Sequence, residues 1–186
     1  MELSRSVIAE EADAYAANEP LYPVEAEQIE GLPQAFASGE FGWRDAEWVV
    51  QWYYRRRLGG VPNDERRARE AEFGENDYEA VRDAIRGANE ADTAEAGLKH
   101  LTELSGVDVG VGSGFLMFLN PEDNIVVSDR EWAALGAAGE LDDPVPEPIS
   151  TADYSRYLEV CRRLGDRYDC SMWTLYQALW RLGAGR

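Results

Sequence analysis

Asp129 is the residue whose type and setting could do chemistry. It stands in Val126-Val127-Ser128-Asp129-Arg130-Glu131-Trp132, where Ser128 and Glu131 have the spacing of a capping box that starts a helix. The first turn of a helix favours an ionised carboxylate. Facing a bound nucleoside, that carboxylate could stabilise the oxocarbenium-like cation formed as a base departs, or activate water against it. The base would first have to be extruded from the duplex. Nineteen residues upstream lies Gly110, in Leu104-Ser105-Gly106-Val107-Asp108-Val109-Gly110-Val111-Gly112, between two helical patterns. A tight glycine turn leading into a helix presents backbone N–H groups at a positive dipole end, which suits a DNA phosphate. A structural reading stands beside the chemical one. Gly106 could end one helix, Gly110, Gly112 and Gly114 could let helices approach closely, and Asp129 could be a helix-start residue.

Together these residues resemble a known family. Leu104–Gly112 is similar to the L-P-G-V-G hairpin of the helix-hairpin-helix DNA glycosylase superfamily. Val126–Trp132 is similar to the V-D-x-H/R-x-W stretch that carries that superfamily's catalytic aspartate, and the distance between the two segments matches without a gap. The closing Ala178-Leu179-Trp180 helix looks like the ending of small bacterial and archaeal relatives of the 8-oxoguanine glycosylase fold. The likeness covers roughly Phe41–Leu182. It implies a helical glycosylase-like domain that hydrolyses the N-glycosidic bond of a damaged base. Asp129 would be the catalytic carboxylate, and Gly106, Val107, Gly110 and Gly112 the phosphate contacts. Bifunctional members carry a lysine just after the hairpin, where this chain has Gly110; its sole lysine, Lys99, lies before the hairpin. Imine-forming lyase chemistry is therefore not expected. Asp108 takes the place of the second hairpin glycine, and a bound K⁺ or Na⁺ would be needed to bridge its carboxylate to a phosphate.

Arg55, Arg56, Arg57, Arg66, Arg67 and Arg69 form the one concentration of basic residues. With Asp64 and Glu65 the window 55–69 sums to 6 − 2 = +4. On an acidic chain such a reversal suits a nucleic-acid face, to which Arg130 of the aspartate motif would add. The same arginines could instead be surface groups paired with nearby acids. Trp48 and Trp52 precede the cluster and could stack on an extruded base; their four-residue spacing equally suits a core stripe. No phosphate loop, dinucleotide fingerprint or metal motif is present. Two cysteines, Cys161 and Cys170, make neither a zinc site nor a disulfide framework. The single histidine, His100, has no partner spacing for a catalytic triad.

The elements that must position these groups read as helices throughout. Asp45–Leu58 is strongly amphipathic, with Trp48, Val49, Trp52, Tyr53 and Arg56 at three-and-four spacing, and Gly59-Gly60 stop it. Further helices are expected over Val24–Ala37, Glu65–Phe73, Tyr78–Gly87, Asp92–Leu104, Ser128–Leu135, from Ser150 or Thr151 to Tyr168, and over Met172–Leu182. Residues 124–127 read as extended and 136–148 as a proline-rich loop. The class is all-α: one helical domain over 23–186 with its hairpin at 104–112, preceded by an acidic segment 1–22 that is either a loose arm or a first helix.

The chain of 186 residues carries 36 acidic against 18 basic residues, a net charge of −18. The acids are dispersed and lysine is nearly absent, as in proteins that fold in molar KCl, where self-repulsion is screened over about 3 Å. A halophilic archaeal source is the reading of this pattern. No apolar stretch is long enough to span a bilayer, and the acidic N-terminus lacks the basic and apolar blocks of a secretory signal, so a cytoplasmic monomer is expected. Three functions remain in competition. One is a monofunctional glycosylase without cofactor, acting on DNA. Another is an inert descendant of that fold that binds DNA or a protein. The third is a helical interaction protein with no nucleic-acid role.

Overall fold

The computed structural model describes residues 2–57, 60–141 and 144–184, and these form ten helices with no strand among them. The all-α class is as expected. The helices are α1 (Arg5–Asn18), α2 (Tyr22–Ser38), α3 (Trp43–Arg55), α4 (Asn63–Phe73), α5 (Tyr78–Glu90), α6 (Ala94–Leu101), α7 (Val109–Leu119), α8 (Asp129–Ala137), α9 (Thr151–Tyr168) and α10 (Met172–Leu182). The expected stop of α3 at Leu58 and Gly59 lies outside the described residues, as do Asp142 and Asp143 of the 136–148 loop.

α7 is the axis of the molecule. Its sequence is apolar all round, which fits a helix with no solvent face. Every residue from Gly110 to Leu119 is buried, and α2, α3, α5, α6 and α9 pack around it. α3, α5, α6, α9 and α10 show the two-faced pattern, and helix starts follow local chemistry. Thr93 caps α6 by accepting the Ala96 N–H at 3.1 Å, so that helix is shorter than the Asp92–Leu104 stretch. Asp45 accepts the Gly42 N–H at 2.7 Å and begins α3 two residues early.

Residues 1–22 are not a separate arm. Residues 5–18 form α1, which lies along α10 and buries Ile8, Ala12 and Tyr15. Apolar residues on one face of α1 outweigh its acidic exterior, because they complete the same core that α10 closes.

The segment 124–127 is extended, as expected, and it is buried. A buried strand-like segment without a neighbouring strand must find other partners for its backbone. Three tyrosine hydroxyls supply them. Tyr154 donates to the Ile125 carbonyl (3.0 Å), Tyr157 to that of Val126 (3.0 Å) and Tyr53 to that of Val127 (3.2 Å). The Ser113 hydroxyl accepts the Val127 N–H at 2.9 Å. This clamp ties the start of α8 to α3, α7 and α9. Cys161 is buried and Cys170 half-buried, both as thiols.

Candidate functional site

The turn between α6 and α7 is packed, not open. Gly106 has φ +74° and lies on the end of α4, where a Cβ would come within 2.7 Å of the Phe73 nitrogen. Val107 is buried. At the start of α7, Asp108 Oδ1 accepts the Val111 N–H at 2.9 Å. Asp108 is thus the cap of α7, and its own carboxylate sits where an external anion would bind. Gly110 and Gly112 are buried inside the helix contacts. Of the expected phosphate contacts, Val107, Gly110 and Gly112 are thus buried and Gly106 is half-buried against the end of α4. The Asp108 oxygen expected to hold K⁺ or Na⁺ serves the helix instead. Among the described residues no cluster of three or more His, Cys, Asp or Glu side chains could hold a metal ion.

Gly110 has a specific reason to be glycine. A Cβ there would overlap the Tyr53 hydroxyl and stand 2.8 Å from its Cζ. The phenol of Tyr53 fills the space that a longer side chain at this position would need. Burial pushes that phenol up to about 12, so it stays a neutral donor to Val127.

The start of α8 is built on Ser128. Its hydroxyl accepts the Arg130 N–H at 3.3 Å and donates to the Glu131 carboxylate. Ser128 and Glu131 are buried. Asp129 is the first residue of the helix, turned outward; its side chain is 59% exposed and is paired with Arg57. Asp129, expected as the catalytic carboxylate, is thus half of a surface ion pair at the start of α8.

Beneath Asp129 lies a buried ion pair. Arg56 Nη1 contacts Glu131 Oε1 at 2.6 Å, and the two side chains are 1% and 0% exposed. The guanidinium is enclosed by the rings of Trp52, Tyr53, Tyr176 and Trp180, each centroid within 5.8 Å of its central carbon. Burial works against the charge on Arg56, but Glu131 together with Tyr176 and Tyr53 more than offsets this and holds it above its ordinary range. Arg56 Nη2 has no acceptor at hydrogen-bonding geometry. Next to this network Glu25 is buried and accepts from Tyr15 (2.7 Å) and from Trp52 Nε1 (2.6 Å). Burial pushes the Glu25 carboxyl above its usual range in spite of these donors.

The arginines converge above the pair. A cavity of about 630 Å³ is lined by Arg56, Arg57 and Arg130, with Glu19 and Asp129 at its wall. Arg130 donates to the Trp180 carbonyl at 2.6 Å and lies 3.8 Å from the centroid of the Trp180 ring. A second cavity of about 480 Å³ is lined by Arg55, Arg57 and Arg66. Arg57 lines both, so the two cavities lie on either side of one side chain and have five arginines between them. Burial and the neighbouring Arg56 depress the Arg57 guanidinium below its ordinary range, as expected where like charges crowd. Glu70 ties Arg55 (3.1 Å) and Arg66 (2.8 Å) together at one end.

The chain matches no family model, no curated protein and no solved structure. The site therefore rests on its geometry.

Of the expected contacts, Arg55, Arg56, Arg57, Arg66 and Arg130 come together, with Arg56 as a buried floor. Arg67 is exposed on α4 and lines neither cavity. Trp52 is a core residue, 2% exposed and bonded to Glu25, and is not offered to a base; Trp48 is half-buried and packs on Phe118 and Trp52. Glu25, Glu131 and Tyr176 were missed by sequence reasoning. A signal existed for Glu25: it shares the stripe of α2 with Leu32 and Phe36, a carboxylate on an otherwise buried face.

Proposed function

We propose that the chain is a DNA-binding module that does not excise bases, and that the backbone of a strand lies along the Arg55–Arg57–Arg66 and Arg56–Arg57–Arg130 groove. The observation that carries this reading is that two neighbouring cavities share Arg57 and together hold five arginines on a chain of net charge −18. Arginine guanidinium groups suit phosphate oxygens in geometry and charge. Catalysis is not favoured, because Asp129 is turned outward and paired with Arg57.

The test combines binding and excision. A labelled oligonucleotide is titrated by fluorescence anisotropy from the lowest KCl concentration at which the chain is folded. Affinity should fall with rising salt, and Arg57→Ala with Arg66→Ala should weaken it by about tenfold or more. Asp129→Asn should tighten binding by about threefold, since it frees Arg57 and removes a charge repelled by phosphate. A panel of lesion-bearing duplexes should stay uncleaved after alkali. Excision that Asp129→Asn abolishes would replace this reading with the glycosylase. Absence of binding at every salt concentration would leave the groove as internal charge balance.

A further inference from the structure

The cavity of about 480 Å³ at the start of α4 has an unusual lining for so acidic a chain. Among the described residues no carboxylate lines it, although the chain has 36 acidic residues and the cavities of about 540 and 600 Å³ elsewhere carry four each. Part of the lining is apolar and aromatic: Tyr54 of α3, Leu21 at the start of α2 and Val61 in the turn before α4, all half-buried. The rest is Arg55, Arg57 and Arg66, with Asn63, the first residue of α4. Its size is within the roughly 300–1,000 Å³ of sites for small organic groups.

The positive charge of this cavity is largely answered. Glu70 pairs with Arg55 (3.1 Å) and Arg66 (2.8 Å), and Asp129 pairs with Arg57; neither acid lines the cavity. Three guanidinium groups against two carboxylates leave one positive charge in surplus, on a chain of net charge −18. Attraction for phosphate is then small, and tight binding must draw on the apolar part of the lining. Tyr54 meets the ring of Tyr53 edge to face, at 5.4 Å and 86°, and among the described residues no ring is stacked flat on it. Every nucleobase has a π-face that such a ring can stack on.

We infer, on the footing of the DNA-binding reading, that this cavity takes an unpaired base of the bound strand against Tyr54, Leu21 and Val61, so that the chain selects single-stranded over duplex DNA. The arginines hold the phosphate next to that base, and the Asn63 amide, with a donor and an acceptor, suits the base edge. In a duplex the base faces are closed by their neighbours, and a cavity walled by a ring and two aliphatic side chains has nothing there to meet. Charge acts in the same direction. A duplex carries one negative charge per roughly 1.7 Å of its axis, more than a single strand does, and a chain of net charge −18 repels the denser charge more strongly.

Three labelled oligonucleotides of equal length separate a base contact from a backbone contact: an oligothymidine strand, a strand abasic throughout, and the oligothymidine paired with its complement. Each is titrated with the full chain by anisotropy at one KCl concentration at which the chain is folded. The oligothymidine should bind about tenfold or more tighter than either of the others. A strand carrying 5-iodouracil should cross-link to Tyr54 on irradiation, as located by mass spectrometry. Tyr54→Leu should bring oligothymidine affinity down to that of the abasic strand, whereas Tyr54→Phe, which keeps the ring, should retain the parent's preference. If Tyr54→Leu melts early, the cross-link in the parent chain still decides. Equal affinity for the three would overturn the inference and leave the backbone reading in place, whereas no binding of any would remove both. A cross-link only to residues outside the cavity, or a folded Tyr54→Leu variant with the parent's preference, would also overturn the base site.

Discussion

Arg56→Met tests whether the buried pair holds the groove in shape. The guanidinium contacts Glu131 at 2.6 Å, with both side chains at most 1% exposed. Methionine keeps much of the volume among the four rings but leaves the Glu131 carboxylate buried with the Ser128 hydroxyl donating to it. Removing one member of such a pair costs about 3–5 kcal/mol. For a domain of this length each kcal/mol moves the melting temperature by roughly 2–4 °C. The variant should therefore melt about 6–20 °C below the parent. Arg56→Met combined with Glu131→Leu removes the stranded charge, and should recover about 2 kcal/mol or more relative to Arg56→Met alone. The assay is thermal unfolding by circular dichroism for the four members of the cycle, at two KCl concentrations. Because the pair is shielded from solvent, its coupling should not change with salt, unlike that of exposed pairs such as Arg5–Asp169 at 71% and 84% exposure. A single variant that melts within about 2 °C of the parent, or a double variant no more stable than it, would refute the reasoning.

Gly110→Ala should cost about 2 kcal/mol or more, since the methyl overlaps the Tyr53 hydroxyl and α7 has no free side to shift toward; chemical denaturation measures this, and an unchanged midpoint would contradict it. Glu25 is held above its ordinary range by burial, so the stability it contributes is complete below the usual Glu range and lost as pH rises through the raised value. Glu25→Gln can still accept from Trp52 while donating to Tyr15, so its stability relative to the parent should increase with pH across that window. A difference independent of pH would count against the buried charge. From the dispersed net charge of −18 we expect the melting temperature to climb between about 0.1 M and 2 M KCl; a flat or falling trend would remove the halophilic reading.

Much of the secondary structure was legible in the chain, because its determinants are local. Glycine after α2, threonine before α6 and serine before α8 and α9 set helix ends within one turn of themselves. The apolar, glycine-containing run of Val109–Leu119 showed no two-faced period, so its place as an interior helix was decided by packing, whereas the turn at Gly106 needed the positive φ it has. The clustering of arginines between 55 and 69 was visible as a local reversal of charge. What each of them does was not visible.

Chain spacing located the start of α8, but neighbouring residues on a helix point about 100° apart, and only packing decides which one faces inward. That choice put Ser128 and Glu131 in the interior and Asp129 outside. Charge balance was equally out of reach of the sequence, since Arg56 and Glu131 are separated by 75 residues and meet only when α3 and α8 pack on α10. The same folding turned Asp108 from a phosphate neighbour into a helix cap, and Trp52 from an offered ring into core. Composition, caps and periodicity act over a few residues and determined the helices; the site depends on distances between helices, which the tertiary structure alone decided.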